Sequence, residues 1–201
     1  MTFDKALKTW TALICTAVIS MAAALSQRDR DIAMSYMHAT RKQVLDTLAG
    51  LSEEQLKYKP APDRWSIAEV AEHLIASEGM IADFAKTGLK QSAPDPGADK
   101  VDDKALIERM TDRSTKAQAP KEMQPTGRWK SREELERAFK KTRDENIAFL
   151  RDTQEDLRGH YVKGPAGMID VYQGFLFIGA HTERHLKQMA EVKQSPGFPK
   201  R

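Results

Sequence analysis

A chain of 201 residues, 40% hydrophobic and 30% charged, is long enough to bury one real core and short for two. Its 32 basic and 29 acidic residues leave a formal net charge of only +3, so no dominant basic field marks it as a nucleic-acid binder. A single cysteine excludes a disulfide framework within the chain.

The chain opens MTFDKALKTWTALICTAVISMAAALS: Lys5 and Lys8, an uncharged apolar run from Trp10 to Leu25, and small residues. That order predicts a secretory signal peptide over residues 1–26, with Ala24 and Ser26 in the two small-residue positions before the cut. The apolar run is shorter than the ~20 residues of a membrane span, so an uncleaved anchor, the only route to a membrane, is the second reading. Cys15 follows bulky Ile14, which argues against lipid attachment. Losing the segment removes two lysines, one aspartate and the only cysteine, which takes the charge from +3 to +2. An exported, periplasmic or secreted protein is expected, and its metal ligands must come from His, Asp and Glu.

From Asp31 to Leu51, Ile32, Met34, Met37, Val44, Leu45, Leu48 and Leu51 recur at helical spacing, and Gly50 is a stop signal. Ser52 with Gln55 forms a capping box for a short helical turn, and Pro60 and Pro62 keep the following loop extended. A second box, Ser66 with Glu69, starts a helix from Ile67 to Lys86 that ends near Gly88. Val70, His73, Leu74, Ser77, Met80, Ile81 and Phe84 share its stripe, which only His73 and Ser77 interrupt. Residues 91–129, with Pro94, Pro96, Pro120 and Pro125 around a helical stretch from Asp102 to Ser114, read as an excursion able to cover one end of a pocket. Ser131 and Glu134 open the third long helix, which carries Leu135, Ala138, Phe139, Ile147 and Leu150.

The stretch HYVKGPAGM reads as a loop, and the last helix runs from Ile169 to Val192. Its stripe is Val171, Phe175, Ile178, His181, His185, Met189 and Val192. No strand-period run is long enough to matter, and QSPGFPKR reads as a frayed tail. The expectation is an all-α, antiparallel four-helix bundle over residues 27–195, with residues 196–201 disordered.

His181 and His185, in HTERH, stand one helical turn apart on the core-facing stripe, where a pair of imidazoles can meet one ion. His73 holds an equivalent place on another helix, and bundles build metal sites from such inward side chains. Glu183 lies two residues past His181, about 200° around the helix, so this is not a zinc-peptidase motif with its adjacent glutamate base. The competing reading is three hydrogen-bonded polar residues in an ordinary bundle. Ser77, one turn from His73 on the same stripe, is a candidate to hydrogen-bond a ligand histidine, a metal-bound water or its own helix carbonyl. Glu78 is a candidate to support the histidines from behind, although ~140° of rotation from His73 favours exposure. His38 reads as pocket or solvated face, His160 as surface, and Trp65 as a packing anchor.

RWSIAEVAEHL and HTERHLKQM together resemble the DinB-like superfamily of bacterial four-helix-bundle proteins, over nearly the whole mature chain. The resemblance implies that His73, His181 and His185 bind a divalent metal, zinc or nickel. It also implies a choice of reactions, since the superfamily includes thiol S-transferases, a mycothiol-dependent isomerase and members described as metal-dependent hydrolases. The expected function is a hydrolase using a metal-bound water on a small-molecule substrate, because thiol cofactors are mainly cytosolic. A non-catalytic small-ligand-binding bundle and a thiol S-transferase are the alternatives. An apolar stripe left exposed on a bundle helix would make a homodimer.

Overall fold

The computed structural model describes residues 24–91, 101–115, 118–164 and 167–200. Residues 1–23 of the expected leader lie outside these. Four long helices, α1 (Gln27–Leu48), α3 (Ile67–Gln91), α5 (Arg132–Asp152) and α6 (Val171–Gln194), form the bundle. The short α2 (Glu53–Lys57) follows α1, and α4 (Asp103–Thr111) with a 3₁₀ turn at Lys121–Met123 occupies the excursion.

The helices begin where side chains satisfy their free amides. Ser52 and Gln55 exchange both bonds of a capping box, as do Ser66 and Glu69. At α5, Ser131 accepts from the Glu134 amide while the Glu134 carboxylate takes the amide of Lys130 instead. Asp170 and Gln173 form a further box at α6. Gly50, at φ 73°, turns the chain out of α1.

Hydrogen bonds fix the directions. Arg30 reaches the carbonyls of Leu150 and Thr153, and Arg41 pairs with Asp144, so α1 and α5 are antiparallel. Tyr172 donates to the Asp29 carbonyl and Tyr36 to Glu183, so α1 and α6 run the same way. Glu78 meets Arg143 and Lys86 lies over the Phe149 ring, so α3 and α5 also run together, with α6 antiparallel to α3. Two consecutive long helices that share a direction need a connection running the length of the bundle. The Pro-containing excursion is that crossover. Its α4 lies along α6, with Gln173 donating to the Val101 carbonyl at one end and Arg184 to that of Asp112 at the other.

The core divides into two apolar clusters, one around Met37, Leu150, Tyr172 and Phe175, the other around Leu48, Ile67, Leu74, Phe139 and Met189. Between them lies a buried polar layer: Thr40 on α1, Ser77 and Glu78 on α3, Arg143 and Asn146 on α5, Thr182 on α6. Arg143 is fully buried and binds Glu78 through two bonds, 2.7 and 2.9 Å.

Several expectations are corrected. The loop HYVKGPAGM contains an antiparallel hairpin, β1 (Tyr161–Gly164) with β2 (Gly167–Asp170), paired Tyr161 to Asp170 through Gly164 to Gly167. Four-residue strands are too short for alternation to be legible. Gly88 does not end α3, which continues to Gln91. A Cβ there would lie 2.8 Å from Val162 and 2.9 Å from Val171, so this glycine admits the hairpin rather than breaking the helix. The frayed tail is docked: Phe198 meets the Tyr58 ring edge-on, Tyr58 donates to the Pro196 carbonyl and Gln55 to that of Pro199. Ile32, Met80 and Phe84, expected on inward stripes, are 47%, 40% and 42% exposed.

At the other end, Leu25 is buried in the first cluster, and Ser26 is the N-cap of α1, accepting from the Asp29 amide. A chain beginning at Gln27 loses both a buried leucine and a cap of about 1 kcal/mol. It is expected to melt several degrees below a chain beginning at Leu25, by calorimetry; equal melting would refute the contribution of these two residues.

Glu78→Ala strands the Arg143 guanidinium and is expected to cost about 3–5 kcal/mol in urea unfolding, whereas Glu78→Met combined with Arg143→Met recovers most of the loss. A single variant as stable as the native chain would show that the pair is not what holds the layer.

Candidate metal centre

The Ser66–Glu69 box fixes the start of α3, and His73 follows on its second turn. Antiparallel α6 passes His181 and His185 across it. The Nε2 atoms of His73 and His181 stand 3.3 Å apart, and those of His185 and His181 3.1 Å. Three nitrogens bound to one ion at ~2.0–2.1 Å would lie about 2.9 Å apart at right angles and about 3.3 Å apart in a tetrahedron. Both observed spacings fall in this range, and the three ring nitrogens all lie within 4.8 Å of one another, an arrangement compatible with one shared ion.

The other ring nitrogens decide which tautomers are present. His73 Nδ1 is 2.8 Å from the Met123 carbonyl oxygen, which only accepts, so Nδ1 carries the proton. His185 Nδ1 is 2.9 Å from Gln188 Oε1, whose identity as the oxygen is supported by the bond it accepts from Arg113. Neutral His73 and His185 thus both aim unprotonated Nε2 lone pairs at His181. A proton on His181 Nε2 can serve only one of them. At least one short contact therefore has no hydrogen-bonding proton of its own, a deficit that a cation shared by the three nitrogens would relieve. The donor set fits a divalent ion.

Electrostatics keeps these lone pairs available. Burial pushes His185 down to about 3, with the neighbouring His73 adding to the shift and the bond to Gln188 opposing it. Burial, then His185 and His73, hold His181 well below the usual histidine range. Burial also lowers His73, against the raising effect of the Met123 bond. His73 and His185 are buried, while His181 is partly exposed and marks the open side. Trp65 lies against His73 with ring centres 4.9 Å apart, as a packing anchor, and Phe177 stacks parallel to His181 at 6.1 Å.

Ser77 and Glu78 make their hydrogen bonds away from the histidines. Ser77 is fully buried and donates to the Leu74 carbonyl of its own helix. Glu78, expected at the surface, is buried and bound to Arg143 and Asn146, because rotation from His73 carries it to α5 rather than to solvent. Glu183 points away from the histidines and accepts from Tyr36. His38 is exposed and His160 half-buried. Glu72 went unread: its carboxylate is buried and accepts from Thr126, Gly127 and Arg128 of the crossover. Its partners are mostly backbone amides, which leave no mark in the sequence at that distance.

Fold and site together define a class: a four-helix bundle whose inward histidines, two on one helix and one on its antiparallel neighbour, are compatible with one divalent ion. The signature of the DinB superfamily matches residues 36–189, which include all three histidines, and the chain belongs to that superfamily. It is 32% identical over 162 residues to the uncharacterized protein YuaE of Bacillus subtilis (strain 168), an alignment covering 80% of this chain and 97% of YuaE.

The lowered histidines give the metal-free protein a pH dependence of known sign. Groups neutral when folded but free to charge when unfolded stabilise fully above the unfolded value near 6.5, and this stability is lost as pH falls toward 3. Chelator-treated protein is expected to melt at lower temperature at pH 5 than at pH 7.5, with a smaller difference in His185→Gln. An equal difference in that variant would assign the effect to other groups.

Proposed function

We propose that this protein is an exported, metal-dependent hydrolase of small molecules, with zinc or nickel held by His73, His181 and His185. The observation that carries the metal is the pair of Nε2 lone pairs fixed by Met123 and Gln188 and aimed at a third imidazole. A divalent ion there supplies Lewis acidity, bringing a water toward ionisation near neutral pH or polarising a substrate oxygen. The chain's own residues do the rest. Desolvation keeps the imidazoles neutral at neutral pH, His73 and His185 are buried on the bundle side, and partly exposed His181 is the side from which a substrate would reach the ion.

Export is supported by the basic, apolar and small order of residues 1–26, and it favours water over a cytosolic thiol as the second reactant. No helix among the described residues is long and apolar enough to cross a membrane. One observation favours a second reading, a bundle that holds a small ligand without transforming it. The carboxylates nearest the histidines in sequence are committed elsewhere: Glu69 to the cap of α3, Glu72 to the crossover, Glu78 to Arg143, Glu183 to Tyr36.

Untagged protein analysed by elemental mass spectrometry is expected to carry about one divalent ion per chain, lost in each of His73→Ala, His181→Ala and His185→Ala. Hydrolysis of ester and amide panels that stops with chelation and returns with metal is the expected second result. A loaded protein inert to every panel would favour ligand binding. A native chain that takes up neither zinc nor nickel would end the metal reading.

A further inference from the structure

We propose that Glu72 is the positioning residue of the histidine site, clamping the crossover so that the Met123 carbonyl holds the His73 ring in one tautomer and one orientation. The proposal rests on the metal reading for its affinity consequence, and on geometry alone for its effect on the ring.

Glu72 and His73 are adjacent on α3 and reach the same strand of the crossover. The Glu72 carboxylate accepts from the Thr126 amide at 2.8 Å, the Thr126 hydroxyl at 2.8 Å, the Gly127 amide at 2.9 Å and the Arg128 amide at 3.2 Å. Three successive backbone amides converge on one carboxylate because Gly127 sits at φ 72°, the left-handed conformation that curls a strand into an anion nest. Three residues before this nest, Met123 closes the 3₁₀ turn and accepts from His73 Nδ1 at 2.8 Å. Gln124 ties the turn down through its amide to Lys121 and its side chain to Ala119. Only Pro125 separates Gln124 from the clamped Thr126, so little slack remains between clamp and acceptor. Metal-binding histidines depend on such an acceptor on the far nitrogen, and loss of it typically weakens binding 10–100-fold. Here the acceptor is a carbonyl on a single 3₁₀ turn, and the carboxylate beside the ligand anchors that turn to α3.

Glu72→Gln replaces an all-acceptor group with one whose amide nitrogen faces the amides of the nest. Two measurements test it. Long-range ¹H–¹⁵N NMR of metal-free protein is expected to show His73 protonated at Nδ1 in the native chain and a mixture of tautomers in the variant. Zinc competition with a chromophoric chelator is expected to give a dissociation constant at least about 10-fold higher in the variant. Glu69→Ala is the control: it removes the bond that the Ser66 amide donates at the start of the same helix, so it lowers the melting temperature but leaves tautomer and affinity unchanged. If Glu72→Gln does not fold, Gly127→Ala disturbs the nest from the crossover side, and the same two shifts are expected, smaller. A folded Glu72→Gln with native tautomer and native zinc affinity overturns the proposal. A native chain that binds neither zinc nor nickel, yet loses its tautomer in Glu72→Gln, sinks the metal reading and leaves the positioning role intact.

Discussion

A guanidinium buried at the centre of the bundle sets the terms for everything around it. Removing such an ion from water costs several kcal/mol unless every N–H finds a partner. Arg143 satisfies all five: two bonds to Glu78 on α3, one each to Thr40 and the Met37 carbonyl on α1, and one to Thr182 on α6. One side chain of α5 therefore fixes the register of the other three long helices. The two apolar clusters supply the bulk of burial on either side, but apolar packing tolerates rotation that this polar layer does not. The histidines inherit the registration. Thr182 is the neighbour of His181, and Glu78 follows His73 by little more than one turn of α3, so helices held at this layer bring the three rings to one point.

The second constraint is directional. Because α3 and α5 run the same way, the chain must return the length of the bundle between them, and it does so along α6. That path ends beside the first turns of α3, where Glu72 and His73 wait for it. A segment that exists to connect two helices thereby becomes the wall and the hydrogen-bond acceptor of the site.

What the sequence revealed divides along the same line. Side chains that interrupt an apolar stripe are visible, so His73, His181 and His185 could be picked out, and capping boxes placed the starts of α2, α3 and α5. Interactions that end on backbone are not visible. The Met123 carbonyl and the amides of Thr126, Gly127 and Arg128 have no signature, and so Glu72 looked like an ordinary helix carboxylate. Arg143 was hidden differently: in KKTRDEN every neighbour is charged or polar, and a stretch of that kind reads as a solvated face. Glu78 fell with it, since its placement depends on a partner 65 residues away. Met80 and Phe84 show the opposite error, apolar residues that complete a stripe on paper yet are left at the surface as α3 turns them away from its partners.

These features bear on how the site relates to the fold. In small metal-folded domains the ion supplies the stability, and the ligands come together only when it binds. Here both apolar clusters and the Arg143 layer are built from other side chains than the histidines, so the rings are held whether or not an ion is present. That has a cost, since neutral imidazoles packed at 3.1 and 3.3 Å have too few protons to make both contacts hydrogen bonds, and burial disfavours the charged form that would carry another. The bundle bears that cost in advance. A cation entering such a place meets ligands already deprotonated and oriented, and spends none of its binding energy on assembling them.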